Sequence, residues 1–353
     1  MDKSKRDSSV IVDTPCAKLD LPREQLFAKV TYCPLCGVTS LKGRQAFQVR
    51  QVYWDIGVAE CPGCGLLYKQ EVPSDVLMRI IYGSTYCHFN DFTSYLKCAE
   101  GLSGRARRLG EPPGRHLDYG CGAGSAVWYA QQAGWDSYGC DPFLPSIPTG
   151  HPLTGRLFKL DAKSPALLET LGKFDRISLW AVVEHLTDLY QTIECLSRLL
   201  KPGGRIIFNC PNGASLVARK SGCFWDMANL VEHVVFMTPR ATRWLATHLN
   251  MNLEYIRYAG VPYPLGRIVP SFGSQGLPAT QFETPSEARR VASAAGKAAS
   301  GNPGPVFSKE LIHPVIEWTK RGKLGGFLGI VTRKAMHISR LGDHIEVGLK
   351  VKC

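Results

Sequence analysis

The sequence contains no run of about 20 consecutive apolar residues, the length that a membrane-spanning helix needs. Its first thirty residues lack an apolar stretch of about 7–15 residues, the core of a secretory signal, so we expect a cytoplasmic protein. Acidic residues are scarce toward the C-terminus: residues 256–353 carry 14 basic and 6 acidic groups, whereas residues 111–255 carry 13 of each. The 353 residues are nevertheless 44% hydrophobic, which excludes wholesale disorder and indicates one large domain or two smaller ones.

Cysteine is plentiful, with 13 residues, but a long chain without an export signal is not expected to be a disulfide scaffold. Cys-Pro-Leu-Cys-Gly at 33–37 and Cys-Pro-Gly-Cys-Gly at 61–65 repeat one pattern. Two residues between paired cysteines let both sulfurs reach one ion, and the glycine permits the positive φ of such a turn. Four thiolates suit tetrahedral Zn²⁺. The predicted ligands are Cys33, Cys36, Cys61 and Cys64.

These cysteines and the strand-like residues between them predict a zinc ribbon over residues 29–70. A four-cysteine site has no open coordination position, which favours a structural role. A catalytic dithiol needs one CxxC pair and not two, so a redox function is disfavoured. Whether the ribbon also binds a partner stays open at this point.

Composition divides the rest of the chain. We expect residues 1–28 to be a flexible N-terminus and 71–112 to be a helical linker, with Ser74 capping its first helix. Residues 113–353 then form the main domain, with a basic, partly Ser-, Gly- and Ala-rich insertion at about 262–340. An alternating segment near the C-terminus predicts a last strand.

A glycine-rich turn follows a short strand and precedes a helix in the main domain. Gly120, Gly122 and Gly124 let the backbone approach a ligand closely, and the helix N-terminus offers free N–H groups. Asp141 ends the next predicted strand, where a carboxylate can accept hydrogen bonds from ribose hydroxyls. Strands and helices alternate from there, which predicts an α/β fold with a parallel sheet covered on both faces.

Residues 114 to about 258 resemble the class I S-adenosylmethionine-dependent methyltransferases. The motifs that carry the resemblance are Asp118-x-Gly120-x-Gly122-x-Gly124, Asp141, the strand at 174–180, Glu184-His185-Leu186 and Leu200-Lys201-Pro202-Gly203-Gly204. The resemblance implies a Rossmann-like sheet of seven strands, mostly parallel with the last antiparallel, and S-adenosylmethionine as the cofactor. The cofactor-binding residues that it implies are Tyr82, Tyr86, Asp118, Gly120, Gly122, Gly124, Asp141, Asp161 and Trp180. Simple packing is the alternative role of the two tyrosines.

The ribbon before this domain is similar to that of bacterial methyltransferases of natural-product and sugar pathways, which carry a Glu-His pair beyond the fifth strand. Glu232-His233 matches that pair and Thr238 the helix-capping residue that follows it. The resemblance implies methyl transfer to a small hydroxylated molecule or a sugar, on oxygen or carbon. An alcohol or C–H acid needs a base. The candidates are His233, assisted by Glu232, and His185, which alternatively shapes the cofactor pocket or caps a helix.

Two other functions compete with this interpretation. A zinc-containing RNA methyltransferase would use the positive charge, but residues 1–110 carry 15 basic and 11 acidic groups, a modest excess. The fourth strand also runs into Leu179-Trp180-Ala181-Val182, without the Asn/Asp-Pro-Pro-Tyr/Phe motif of many base-methylating enzymes. A non-catalytic binding module is disfavoured by the intact glycine turn. A small-molecule acceptor is therefore favoured over nucleic acid.

Overall fold

The structure is a computed structural model that describes residues 9–13, 18–39, 42–48, 55–84, 105–144, 146–160, 170–221, 225–259 and 342–352. Contacts divide the chain into two units, Met1–Arg257 with Asp343–Cys353 and Tyr258–Gly342. The site described below belongs to the first unit. The insertion predicted at about 262–340 lies outside the described residues, so it stays a prediction.

The N-terminal part is rich in short strands. Its elements are β1 Ser9–Asp13, β2 Lys18–Pro22, α1 Arg23–Leu26, β3 Phe27–Lys29, β4 Lys42–Gln48, β5 Asp55–Glu60, β6 Leu67–Lys69, β7 Glu71–Pro73 and α2 Asp75–Ser84. The hydroxyl of Ser74 accepts a hydrogen bond from the backbone N–H of Leu77 at 3.3 Å, which confirms the predicted cap of α2.

The main domain follows. Its elements are β8 Arg115–Tyr119, α3 Ser125–Gln132, β9 Asp136–Cys140, β10 Leu157–Phe158, β11 Phe174–Trp180, a 3₁₀ turn Val183–His185, α4 Leu189–Arg198, β12 Leu200–Pro211, α5 Leu216–Ser221, α6 Asp226–Asn229, β13 Val235–Phe236, α7 Pro239–His248, β14 Met251–Ala259 and β15 His344–Val351.

Seven of these strands form one sheet in the order β10-β9-β8-β11-β12-β15-β14. β10, β9, β8, β11 and β12 pair in parallel. β15 pairs with β12 in the antiparallel direction, from Arg205 opposite Lys350 to Pro211 opposite His344. The predicted seven-stranded class I methyltransferase sheet, mostly parallel with an antiparallel last strand, is therefore confirmed. Leu117, Ile177 and Phe208 on its central strands are fully buried, as expected of parallel strands covered on both faces.

The Lys201-Pro202-Gly203-Gly204 segment lies within β12. The register with β11 jumps from Phe174 opposite Leu200 to Arg176 opposite Arg205, so the intervening residues bulge out of the ladder. Gly203 has a φ of 72°, which the bulge requires and glycine adopts without strain.

The four-cysteine region shares a sheet with the main domain. The order of this sheet is β13-β6-β5-β4, with each pair antiparallel. β13 comes from residues 235–236 of the main domain and pairs with β6 through Val235 opposite Tyr68. The predicted zinc ribbon is therefore hydrogen-bonded to the segment that follows Glu232 and His233.

The described part of residues 1–28, predicted to be flexible, contains a hairpin. β1 and β2 pair antiparallel from Ser9 opposite Pro22 to Asp13 opposite Lys18. The β-branched run Val10-Ile11-Val12 provides the strand preference that composition alone did not reveal. Among the described residues, no helix has the length and apolar character to cross a bilayer.

Candidate functional site

The four cysteines come together as predicted. The Sγ atoms of Cys33 and Cys64 lie 3.6 Å apart, those of Cys36 and Cys61 lie 3.3 Å apart, and all four fall within 4.8 Å of one another. Zinc with Zn–S bonds of about 2.3 Å separates tetrahedral sulfur ligands by roughly 3.8 Å, so the cluster has the size of such a site. A hydrogen bond from Cys64 lowers the pKa of Cys33 to about 5, which favours a thiolate there at neutral pH.

The two knuckles have the same backbone hydrogen bonds. The N–H of Gly37 donates to the Cys33 carbonyl and that of Gly65 to the Cys61 carbonyl, each at 2.9 Å. Their φ angles are 73° and 78°, so the glycine after each cysteine pair serves the predicted purpose. The second knuckle also contacts the main domain, because the Thr238 hydroxyl donates to the Gly65 carbonyl at 3.0 Å.

The glycine-rich turn joins β8 to α3. Gly120, Gly122 and Gly124 have φ angles of 74°, 52° and 84°, a region that side-chain-bearing residues rarely adopt. A Cβ at Gly120 would lie 2.4 Å from Cγ2 of Val182, so packing behind the turn also requires glycine there. The turn thus has the geometry that the sequence predicts, and its contact with a cofactor remains a prediction.

Asp141 lies beside this turn, just after β9. Its Oδ2 accepts the Gly122 N–H at 3.0 Å and its Oδ1 accepts the Phe143 N–H at 2.7 Å. These two bonds orient the carboxylate of Asp141 beside the glycine turn. The arrangement suits the predicted ribose contact.

Tyr82, from α2, lies over the same region. Its ring stacks on Phe143 with centroids 4.5 Å apart and meets His185 edge-on at 6.2 Å. Burial, and then the charges of Glu232 and Asp141, raises the pKa of Tyr82. The ring therefore connects the glycine-turn region to the Glu-His segment. Tyr86 and Asp161 lie outside the described residues.

Asp118 ends a buried chain of hydrogen bonds. The Ser178 hydroxyl donates to Asp118 Oδ1 at 2.5 Å and lies 2.8 Å from His116 Nε2, whose ring reaches the Ser137 hydroxyl through Nδ1 at 2.7 Å. Because Ser178 donates to Asp118, it accepts the proton of Nε2, which leaves Nδ1 to accept from Ser137. Burial raises the pKa of Asp118 to about 7 and lowers that of His116 to about 3.

Trp180 occupies a different environment from the other predicted cofactor residues. It is 6% exposed and packs in an apolar cluster with Trp135 and Ile207. The guanidinium of Arg105 lies 5.6 Å from the centre of its ring, within cation–π range. This packing explains its burial, and its cofactor contact stays a prediction.

The predicted acceptor-side residues lie close together although they come from separate segments. The rings of His185 and His233 have centroids 4.8 Å apart. One carboxylate oxygen of Glu184, one ring nitrogen of His185 and one of His233 all lie within 4.8 Å of one another. The two segments are tied by the N–H of Val234, which donates to the Glu184 carbonyl at 2.7 Å. Glu184 and Glu232 are both buried.

The two histidines have the same orientation. Nδ1 of His233 lies 2.9 Å from the Met227 carbonyl, and Nδ1 of His185 lies 3.1 Å from the Glu232 carbonyl. A carbonyl only accepts, so each Nδ1 carries a proton, and the neutral form of each ring keeps its lone pair on Nε2. Burial, together with the charge of His185, holds the pKa of His233 well below its usual value. Burial also raises the pKa of Glu184.

Comparison with known proteins agrees with this geometry. Residues 87–256 match the family described as "Methyltransferase domain". This match spans just under half of the chain. A curated relative, a ubiquinone biosynthesis O-methyltransferase of Xylella fastidiosa, is 28% identical over 163 residues, which are 44% of this chain and 64% of that protein. The human mitochondrial ubiquinone biosynthesis O-methyltransferase is 30% identical over 108 residues, 28% of this chain and 29% of its own length.

Two solved structures that resemble this chain are named as methyltransferases. A SAM-dependent methyltransferase from Archaeoglobus fulgidus covers 71% of this chain and 93% of its own, at 17% identity and a TM-score of 0.40. A 1,6-didemethyltoxoflavin-N1-methyltransferase from Burkholderia thailandensis, solved with S-adenosylhomocysteine, covers 61% and 92%, at 14% identity and a TM-score of 0.40.

Several residues that shape the candidate site were not predicted from the sequence. Phe143 orients Tyr82, and the Ser178–His116 pair supports Asp118 across β11 and β8. Polar residues inside apolar strands were the available signal, because a buried polar group needs a partner. Lys69, from β6 of the four-cysteine region, is fully buried beside the acceptor-side residues, and its sequence context carries no such signal.

Proposed function

We propose that this protein transfers the methyl group of S-adenosylmethionine to a small hydroxylated acceptor or a sugar and releases S-adenosylhomocysteine. One observation carries the proposal: a glycine-rich turn with two carboxylates lies at one set of strand ends, and a buried Glu-His group lies at the neighbouring set. Ligands of open α/β sheets bind outside the carboxyl ends of their strands. The match to the methyltransferase family supports the same activity.

The cofactor side, which we define as the glycine turn with Asp118, Asp141 and Tyr82, fits S-adenosylmethionine. The carboxylate of Asp141, a hydrogen-bond acceptor held beside the glycine turn, supports a contact with the ribose hydroxyls. Asp118, whose pKa is raised to about 7 by burial, gains a favourable partner when a ligand ammonium arrives nearby. The bound sulfonium supplies an already activated methyl group, so the residues of the chain mainly align the acceptor and take its proton.

The acceptor side, which we define as Glu184, His185, Glu232 and His233, supplies the proton acceptor. His233 stays neutral at pH 7, and its Nδ1–H is held by the Met227 carbonyl, so Nε2 is the basic atom. Nε2 of His233 would take the O–H or C–H proton of the acceptor, and bound S-adenosylmethionine would supply the methyl group and leave as S-adenosylhomocysteine. The resulting imidazolium is stabilised by the nearby carboxyl groups.

We infer that the four-cysteine cluster binds one structural Zn²⁺. Its sulfur separations and its four soft ligands support this assignment, and four ligands close a tetrahedral site. The role is consistent with the location of the cluster, since β6 leaves the second knuckle and pairs with β13. The metal therefore fixes a strand that adjoins the acceptor side.

The acceptor class is tested by binding and by transfer of labelled methyl. Calorimetry measures S-adenosylmethionine and S-adenosylhomocysteine affinity, and tritiated S-adenosylmethionine is then incubated with 3,4-dihydroxybenzoate, with nucleotide-linked sugars and with total RNA. We expect binding of both cofactor forms and label in a small-molecule fraction. A folded protein that binds neither form would refute the proposal. Label confined to RNA would replace the small-molecule acceptor with the zinc-containing RNA methyltransferase alternative.

A further inference from the structure

Lys69 is an unusual buried lysine. It ends β6 in the four-cysteine region and has 0% exposure, whereas lysines almost always keep the ammonium in water. Its Nζ donates to the Leu230 carbonyl at 2.6 Å, and its backbone N–H donates to the Val234 carbonyl at 2.9 Å. One residue of the ribbon thus holds both ends of the loop at 230–234, which carries Glu232 and His233.

The charge of Lys69 acts on the same loop. Burial lowers the pKa of Lys69 to about 7, and the nearby carboxylate of Glu232 opposes that effect. Lys69 in turn contributes to the low pKa of His233, after burial and His185, with His344 adding a further contribution and the Met227 carbonyl acting in the opposite direction. When protonated, Lys69 therefore favours the neutral imidazole of His233.

A purely structural role would not require this residue. Apolar side chains of similar volume often replace buried ions with no loss of stability, because removing an ammonium from water is costly. Lys69 instead donates a hydrogen bond to the Leu230 carbonyl, and its charge interacts with Glu232 and His233.

We propose that Lys69 is a positioning residue of the acceptor side, through which the four-cysteine region fixes the 230–234 loop and places a positive charge beside Glu232 and His233. The catalytic consequence rests on the function proposed above. The ribbon then contributes a positioning residue to the site in addition to its structural role.

Three substitutions separate the hydrogen bond from the charge. Lys69→Met removes both, Lys69→Gln keeps a donor without the charge, and Lys69→Arg keeps both. Lys29→Met, at an exposed lysine on β3, is the matched control. The readouts are amide hydrogen exchange of a peptide spanning 225–238, the NMR titration of the His233 ring assigned with His233→Gln, and calorimetry with S-adenosylmethionine.

We expect Lys69→Met to speed exchange in the 230–234 loop about tenfold, the loss of roughly one hydrogen bond, and to raise the pKa of His233. Lys69→Gln should largely preserve exchange and still raise that pKa, while Lys69→Arg and Lys29→Met should resemble the wild type. S-adenosylmethionine affinity should change less than twofold throughout. On an acceptor found in the panel above, kcat of Lys69→Met should fall at least tenfold with little change in KM.

Two results would overturn the inference. A folded Lys69→Met protein with wild-type loop exchange would remove the positioning role, and an unchanged His233 titration in Lys69→Met and Lys69→Gln would remove the electrostatic one. Should Lys69→Met fail to fold, Lys69→Gln carries the titration test. If the wild type binds no S-adenosylmethionine, the proposed function fails, whereas exchange and titration still decide the role of Lys69.

Discussion

The cofactor side and the acceptor side of the site are assembled in different ways. Asp118, the glycine turn and Asp141 lie within residues 118–141, and backbone N–H groups hold the carboxylate of Asp141. Tyr82, from α2, is the one member of this side that comes from a distant segment. The acceptor side draws its histidines from two separate loops and a buried lysine from the four-cysteine region. On this side the backbone orients imidazoles through Nδ1 and leaves Nε2 available.

This difference matters for how each side responds to change. A locally built group depends on a few turns, so distant substitutions leave it intact. A group assembled from remote segments depends on the contacts between them, and residues in one network do not contribute additively. We therefore expect distant changes to damage the acceptor side while sparing the cofactor side.

The largest effect should follow loss of the metal site. Cys61→Ser removes one of four ligands, and because metal binding is coupled to folding, we expect loss of stoichiometric zinc and faster amide exchange across β5, β6 and the 230–234 loop. S-adenosylmethionine affinity should change far less. Metal analysis, exchange and calorimetry measure these outcomes, with Cys16→Ser and Cys353→Ser as controls. If Cys61→Ser weakened S-adenosylmethionine binding as strongly as it speeds exchange in the 230–234 loop, the contrast between the two sides would be wrong. If freshly purified, reduced wild-type protein contained no zinc, the proposed zinc site would be wrong.

The same contrast explains which features could be predicted from the sequence. The glycine turn, the two knuckles and the order of strands and helices are local patterns, and the structure confirms their geometry. The meeting of His185 with His233 depends on the bond between Val234 and Glu184, which joins segments far apart in the chain. The burial of Lys69 depends on β6 pairing with β13. Neither periodicity nor composition encodes such long-range pairing, so both escaped sequence reasoning.

The next effect concerns the base. If the acceptor is an alcohol or a C–H acid, His233→Ala should lower turnover by about 10²–10⁴-fold, the usual contribution of a positioned base, with cofactor affinity nearly intact. His185→Ala should also weaken cofactor binding or stability, because its ring lies between Tyr82 and His233. His248→Ala, at an exposed histidine of α7, is the control. Steady-state kinetics measures turnover, and calorimetry measures cofactor affinity. Full turnover of His233→Ala would exclude His233 as the base.

A smaller effect should appear on the cofactor side. If Asp141 holds the ribose through two charge-assisted hydrogen bonds, each worth about 1.5–3 kcal/mol, Asp141→Ala should lower S-adenosylmethionine affinity at least tenfold. The loss of the Gly122 N–H contact adds to this effect by loosening the turn. Calorimetry measures the change, with Asp136→Ala, on the exposed end of β9, as the control. Unchanged affinity would show that the ribose is held elsewhere.

The smallest expected effect is on the pH dependence of the free energy of unfolding. It arises from the buried hydrogen-bonded chain Ser137–His116–Ser178–Asp118. His116 has a folded pKa of about 3 against an ordinary value of 6.5, so its contribution to stability is lost as pH falls from 6.5 toward 3. Asp118 has a folded pKa of about 7 against 3.8, so its contribution is lost as pH rises through that window.

These two slopes, each about 1.4 kcal/mol per pH unit, have opposite signs and largely cancel in the wild type between pH 4 and pH 6.5. Each single substitution should therefore expose the other group. Asp118→Asn leaves His116, so the free energy of unfolding should fall relative to the wild type as the pH is lowered. His116→Asn leaves Asp118, so it should fall as the pH is raised. Urea unfolding at several pH values measures the free energy of unfolding of the wild type and both variants. If it depended on pH in the same way in all three proteins, neither His116 nor Asp118 would have the shifted pKa that this prediction assumes.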